Sequence, residues 1–334
     1  AWLNITLASV LDLDGTKGKL SALKTFNNNI IAFQDKGIST ILFNSRVQIP
    51  TSEAVPIQIA NSGKVEGQQY FTTDLGCQNK WNIVTSPQGL YFVDYYNKSI
   101  YKFNGQIEDL STANGFRGWC DKNITSNSSI VGYYDKKNKE VIFYSDTFER
   151  INDMDTKWLG FSELTNAFSS FYTYPKARLI SLQDDNLWLY NQSVYGHQTG
   201  KYNNLLGEES PYGLTVIVRN DSNITKIFNS IEFRSDLYEN SDLRNFETFD
   251  TIQIEDEHNG KTSAYLDYSP YRPSNLKKRS RTWRAAIPRV GNGYSRYTNQ
   301  WAKVGLWMTH KHNSMAVEHA EKTILHDMAV WYTE

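Results

Sequence analysis

Apolar and polar residues alternate in short paired runs along the first 190 residues. The pairs are Ile30–Phe33 with Ile41–Phe43, Leu90–Val93 with Ile100–Phe103, Ile130–Tyr134 with Val141–Tyr144, and Leu179–Leu182 with Leu187–Tyr190, each joined by a polar turn. A short apolar-aromatic run bounded by turn formers reads as a strand, and two in succession read as an antiparallel hairpin. The corresponding positions Ile31, Tyr91, Val131 and Ile180 lie 60, 40 and 49 residues apart. That period suits β-propeller blades, small sheets that bury their faces only by stacking on their neighbours. The links Asp94-Tyr95-Tyr96-Asn97-Lys98 and Asp135-Lys136-Lys137-Asn138-Lys139 are turn-forming, as is Asn104-Gly105. Pro50, Pro56 and Pro87 are expected to punctuate inter-blade loops. Residues 147–167 lack periodicity and read as a long loop with no more than a helical turn.

Past about residue 205 the blade spacing is lost. Leu214–Val218, Lys226–Phe233, Phe246–Ile254 and Ser263–Tyr268 still read as strands. Residues 314–334 fit a helical face or a strand, and the β-branched and aromatic residues at their end favour a terminal strand. The expectation is an all-β chain: β-propeller-type blades with at least four hairpins over residues 1–204, then a second β-rich region over residues 205–334. The opening Ala-Trp-Leu-Asn, with Ile5–Leu11 already strand-like, suggests part of a larger chain.

The 21 Tyr, 16 Phe and 9 Trp fit sheet surfaces, where large rings pack across strands. Mean hydropathy is −0.55, and no apolar run approaches the roughly 18 residues that span a bilayer, so no membrane insertion of this chain is expected. A net charge of −1 gives no global field for nucleic acid or membrane. Cys77 and Cys120 are either a pair or, more simply, buried thiols.

Charge is uneven in the second region. Residues 231–258 hold nine acidic side chains against Arg234 and Arg244, and residues 271–312 hold ten basic ones and no acid. Such segments can neutralise each other internally or meet across a joint between subunits. Within the basic stretch, Trp283, Tyr294, Tyr297, Trp301 and Trp307 are interleaved with the cations, a footprint for single-stranded nucleic acid. Lys277, Lys278, Arg279, Arg281, Arg284 and Arg296 are therefore the candidates for subunit-interface or nucleic-acid contact, although Lys277–Arg281 is most simply a solvated loop.

Other chemistry is thin. His310 and His312 would share one strand face, but His319 and His326 do not complete a metal set. Asp12-Leu13-Asp14-Gly15 begins like a calcium loop and lacks the later oxygen ligands, so a turn is the better reading. No nucleophile elbow, P-loop, zincin or dinucleotide motif occurs. Asp153/Asp155 and Asp184/Asp185 are carboxylate pairs of the kind a propeller glycosidase uses, but Asp184-Asp185-Asn186 sits where a hairpin needs turn residues. Seven Asn-X-Ser/Thr triplets, at Asn4, Asn97, Asn123, Asn127, Asn191, Asn220 and Asn223, read as composition. No cofactor is expected and no enzyme activity.

Residues 26–120 carry a resemblance. Phe26-Asn27-Asn28-Asn29-Ile30-Ile31-Ala32-Phe33-Gln34, Ile41–Thr51, Gly76-Cys77-Gln78-Asn79-Lys80-Trp81 and Gly89–Asp94 resemble the large tail proteins of crAss-like short-tailed bacteriophages, the muzzle or stabilisation family. Lys322–Tyr332 is similar to that family's closing strand. The resemblance implies a non-enzymatic virion component, similar in role to tail nozzles. It would form a six-fold ring around the channel through which DNA leaves, beside other tail and portal-proximal proteins, with transient DNA in the channel. This chain would be the C-terminal part of a longer protein. Two alternatives remain: a carbohydrate-binding propeller using Trp158 and Trp188, and a propeller glycosidase using Asp184 and Asp185.

Overall fold

The computed structural model describes residues 10–43, 47–49, 57–59, 65–126, 129–148, 158–175, 177–181, 186–197, 199, 204–220, 223–239, 241–267, 274–309 and 322–333. The chain divides into two compact units, Ala1–His197 and Gln198–Glu334. Strands dominate both, so the all-β expectation holds.

The first unit is a succession of small antiparallel sheets. Sheet one is β1 (Leu20–Phe26), β2 (Asn29–Gln34), β3 (Gly37–Phe43) and β4 (Val65–Thr72), hydrogen-bonded in that order. Sheet two runs β5 (Val84–Ser86), β6 (Gly89–Asp94), β7 (Ser99–Phe103) and β8 (Ile107–Asp109). Two short helices, α1 (Leu110–Ala113) and α2 (Arg117–Asn123), follow it. Sheet three contains β9 (Val131–Asp135), β10 (Glu140–Tyr144), β11 (Trp158–Ser162) and β12 (Ala167–Tyr172), and sheet four β13 (Arg178–Ser181), β14 (Asn186–Tyr190) and β15 (Ser193–Gly196). Each of the four apolar pairs read from the sequence is one hairpin at the middle or start of a different sheet.

The turns form for local reasons. Asp94 accepts from the backbone N–H groups of Tyr96 and Asn97, and Asp135 from those of Lys137 and Asn138. Asp256 repeats the arrangement with His258 and Asn259. An Asx side chain of this kind replaces backbone partners that the reversing chain lacks. The left-handed residue that closes each turn is Lys98, Lys139 or Gly260. Asn27 and Asn28 are both left-handed between β1 and β2, as a two-residue hairpin turn requires.

Packing between sheets explains the apolar runs. In β6, Leu90 and Phe92 face Ile31, Phe33 and Ile38 of sheet one, whereas Tyr91 and Val93 pack with Tyr134, Val141, Phe143, Leu159 and Phe161 of sheet three. Both faces of β6 are therefore buried, which is why it reads as a continuous apolar run rather than an alternating one. Sheets three and four meet through Trp158 and Trp188, whose ring centroids lie 5.4 Å apart. Each ring is only 1% exposed. That overturns their proposed sugar-stacking role: they are the glue between two sheets.

Several expectations need correction. Within 147–167, Trp158–Ser162 is a fully buried central strand, not loop. Its Gly160 and its dependence on distant sheets hid it from periodicity. Pro87 lies in the β5–β6 hairpin turn rather than between blades, while Pro50 and Pro56 fall outside the described residues. Cys77 and Cys120 are unpaired and buried in different apolar clusters, and burial pushes their thiols up, to about 12 and about 11.

The second unit is built on one ten-stranded sheet. Its main strands are β16 (Tyr212–Val218), β17 (Lys226–Glu239), β18 (Thr251–Asp256), β19 (Gly260–Asp267), β20 (Ser274–Arg279), β21 (Thr282–Ala286), β22 (Ala302–Met308) and β23 (Lys322–Thr333). Along the sheet the order is β16, β22, β18, β19, β20, β21, β17, with β23 on the opposite side of β17 from β21. All pairs are antiparallel except a short parallel contact of β19 with β20. One face gathers Phe228, Ile231, Phe233, Leu237, Ile252, Ile254, Leu276, Trp283, Val304 and Leu306 into a core. The terminal strand is borne out as β23. The strand expected from Phe246 begins only at Thr251, with Phe246 itself exposed.

Candidate interaction surface

The β20–β21 hairpin gathers five of the six singled-out cations. Its register places Lys277 opposite Arg284, Lys278 opposite Trp283 and Arg279 opposite Thr282. Alternation along a strand then separates two faces. Leu276 and Lys278 look toward the core, whereas Lys277 and Arg279 look outward, beside Arg284 and just before Arg281 in the turn. Lys277, Arg279, Arg281 and Arg284 are all exposed.

Lys278 is different. Its Nζ sits 4.6 Å from the Trp283 ring centre and 5.4 Å from that of Phe246. Burial holds its pKa below the usual lysine value, with Asp236 opposing. It caps the core by a cation–π contact and is not a solvated loop cation. Arg296 lies apart, donating from Nη1 to Asn229 Oδ1 at the other end of β21's partner strand.

The acidic and basic segments meet inside this sheet. Arg284 Nε lies 3.5 Å from Glu232 Oε1, across the β21–β17 pairing, and Lys303 Nζ lies 4.0 Å from Glu255 Oε1. On the β17–β23 pairing, Arg234 binds Asp327 and His326 Nε2 lies 2.7 Å from Asp236 Oδ2. The Arg234 hydrogen bond holds the Asp327 carboxyl below its ordinary range. Lys277, Arg279 and Arg281 make no ion pair among the described residues.

Two polar clusters in the first unit had no sequence signal, because their members are far apart in the chain. Glu163, 7% exposed, accepts at Oε1 from Ser86 Oγ (2.6 Å) and Tyr91 OH (2.9 Å), and at Oε2 from Tyr134 OH (2.8 Å). It ties sheet two to sheet three. Burial, followed by the adjoining carboxylate, pushes the Tyr91 and Tyr134 hydroxyls up. In the second cluster, Trp188 Nε1 donates to His197 Nδ1 (2.6 Å), and His197 Nε2 approaches Asp135 Oδ2 (3.4 Å). Burial raises Asp135, but its bonds to His197, Asn138 and Lys137 outweigh it and hold the carboxyl below its ordinary value. Both clusters are internally satisfied and join neighbouring sheets.

Asp14 accepts from the Thr16 N–H and hydroxyl, a turn as expected rather than an ion loop. Among the described residues, no group of three or more His, Cys, Asp or Glu side chains could hold a metal ion. His310, His312, His319, Asp153, Asp155, Asp184 and Asp185 lie outside the described residues. No described helix is long and apolar enough to cross a membrane.

Comparison with known proteins adds a family. The family model described as Crassvirus muzzle protein matches residues 1–193, and that described as Crassvirus muzzle protein C-terminal domain matches residues 200–290. The Muzzle protein of Bacteroides phage crAss001 is 40% identical over 341 aligned positions, which cover 99% of this chain and 24% of that protein. The chain thus spans about a quarter of the length of this relative.

Proposed function

The chain belongs to the crassvirus muzzle protein family, and from that membership we propose that it is a structural, non-catalytic part of a phage tail, assembled as a six-fold ring around the channel for DNA. One observation supports a wall-like role above others: sheets one, two and three pack serially, face on face, through two apolar clusters that share β6, and sheet four joins sheet three through the Trp158–Trp188 ring contact. Interlocked sheets resist deformation because sliding any one of them exposes apolar area on two sides, at about 25 cal/mol per Å². We read the four sheets as blades of a β-propeller and the second unit as a separate β module. The titratable clusters support the same reading, since their polar atoms satisfy one another rather than converge on an open cleft. Part of the charge of the second unit is paired within its own sheet, through Arg234, Arg284, Lys303 and His326. Partners on this reading are further copies and other tail or portal-proximal proteins.

The test is assembly of the full-length family protein, measured by mass photometry and electron microscopy. A closed cyclic oligomer with this chain in its wall is the expected result. A stable monomer at high concentration would refute the ring.

A further inference from the structure

We propose that the outward face of the β20–β21 hairpin is a nucleic-acid contact, in which Lys277, Arg279 and Arg281 engage backbone phosphates. The argument starts from charge left over inside the sheet. Arg234, Arg284, Lys303 and His326 each have an acidic partner, whereas Lys277, Arg279 and Arg281 have none among the described residues. Lys277 is also held directly opposite Arg284. Like charges facing each other across a ladder destabilise a hairpin, so the arrangement works against stability unless an anion relieves it. Glu232 relieves the Arg284 side alone.

Shape then selects the anion. Lys277 and Arg279 are two residues apart on one strand face, roughly 6.8 Å along the strand, and Arg281 extends the line into the turn. A stripe of cations along an open ribbon fits a linear polyanion better than a compact one, which would need a pocket. Two of the three cations are arginines, whose planar forks bind phosphate oxygens in pairs. Thr282, beside Arg279 in the register, adds a hydroxyl donor of the kind that positions a phosphate backbone. An acidic patch on a second copy is the weaker fit, because Glu232, Asp236, Glu255 and Asp327 are already engaged within their own sheet, and the exposed Asp242 and Glu257 lie in different hairpins rather than in one stripe. No feature of this stripe reads base edges, so binding is sequence-independent.

The inference stands apart from the ring: a tail wall need not touch DNA at this hairpin, and a monomer could still bind there. The experiment measures fluorescence anisotropy of a labelled oligonucleotide, single-stranded and duplex, with the whole chain across a salt series. Three neutralised phosphates predict a slope of log K against log salt of about −2.7 on duplex and about −2.1 on single strand. Lys277→Gln/Arg279→Gln/Arg281→Gln should abolish most of that slope, and Arg281→Gln alone should lower it by about 1. The control Lys137→Gln/Arg219→Gln/Lys261→Gln removes three exposed cations elsewhere and should leave the slope near the parent's. Should the triple variant fail to fold, Arg281→Gln in the exposed turn decides. The proposal is overturned if the parent shows no salt-dependent binding, or if the hairpin variants keep its slope. It is equally overturned if they change the oligomeric state, or binding to anionic vesicles, while DNA binding stays intact.

Discussion

Removing the carboxylate of Glu163 tests the reading of the first unit as serially clamped sheets. Three hydroxyls converge on it, two from sheet two (Ser86, Tyr91) and one from sheet three (Tyr134). In Glu163→Ala, Ser86 Oγ keeps other partners, the Gly89 carbonyl and the N–H groups of Gln88 and Gly89. The two tyrosine hydroxyls lose their acceptor in a buried site. A buried polar group left unpaired costs about 1–3 kcal/mol, so about 4 kcal/mol is expected for the pair. At roughly 2–4 °C per kcal/mol for a unit of this size, the melting transition of the first unit should fall by about 8–16 °C. Hydrogen exchange followed by mass spectrometry assigns the loss to residues 84–94 and 130–163, which matters because the chain has two units and need not unfold in one step. Coupling gives the sharper test. Tyr91→Phe should cost about 1–2 kcal/mol in the parent and nearly nothing in Glu163→Ala. A Glu163→Ala cost below about 1 kcal/mol, or a Tyr91→Phe cost unchanged between the two backgrounds, would show that the cluster does not clamp the sheets.

Two further outcomes follow from packing and burial. The Cβ of Gly132→Ala, in sheet three, would lie 2.4 Å from Val84 Cγ2 of sheet two. Overpacking there should cost about 1–3 kcal/mol, and Val84→Ala should recover part of it in a double-mutant cycle; strictly additive costs would mean the sheets are not in contact at this point. Alkaline pH should unfold the first unit. The Cys77 thiol is raised from 9.0 to about 12 on folding. The native state therefore keeps a proton that the unfolded chain releases, so the stabilisation is complete below pH 9 and is lost as pH rises toward about 12. Tyr91 and Tyr134, raised from 10.0, act in the same direction. Circular dichroism and tyrosinate absorbance should change together over that range, and both thiols should resist a disulfide reagent at neutral pH. Rapid labelling of folded protein at neutral pH would refute this.

Local chemistry was legible in the sequence. Asp94 and Asp135 at the start of their links and Asn104-Gly105 set turns between apolar runs that carry their own register, because an Asx turn and a left-handed residue need only near neighbours. The terminal strand was equally readable, from β-branched and aromatic residues at its end. Other features depended on distant partners. Trp158–Ser162 looks like loop until sheets two and four cover it, and Trp158 and Trp188 look like surface rings until they meet. Glu163 draws its ligands from positions 29 to 77 residues away. The cationic run at Lys277–Arg281 was visible as charge, but only the strand register decides that Lys278 turns inward onto Trp283 while Lys277 and Arg279 turn out. Sequence determines where the backbone reverses and that the apolar runs beside those turns are extended, since those are short-range energies. Tertiary structure decides which faces are covered and which charges are left without partners, since burial and pairing depend on residues brought together only by folding.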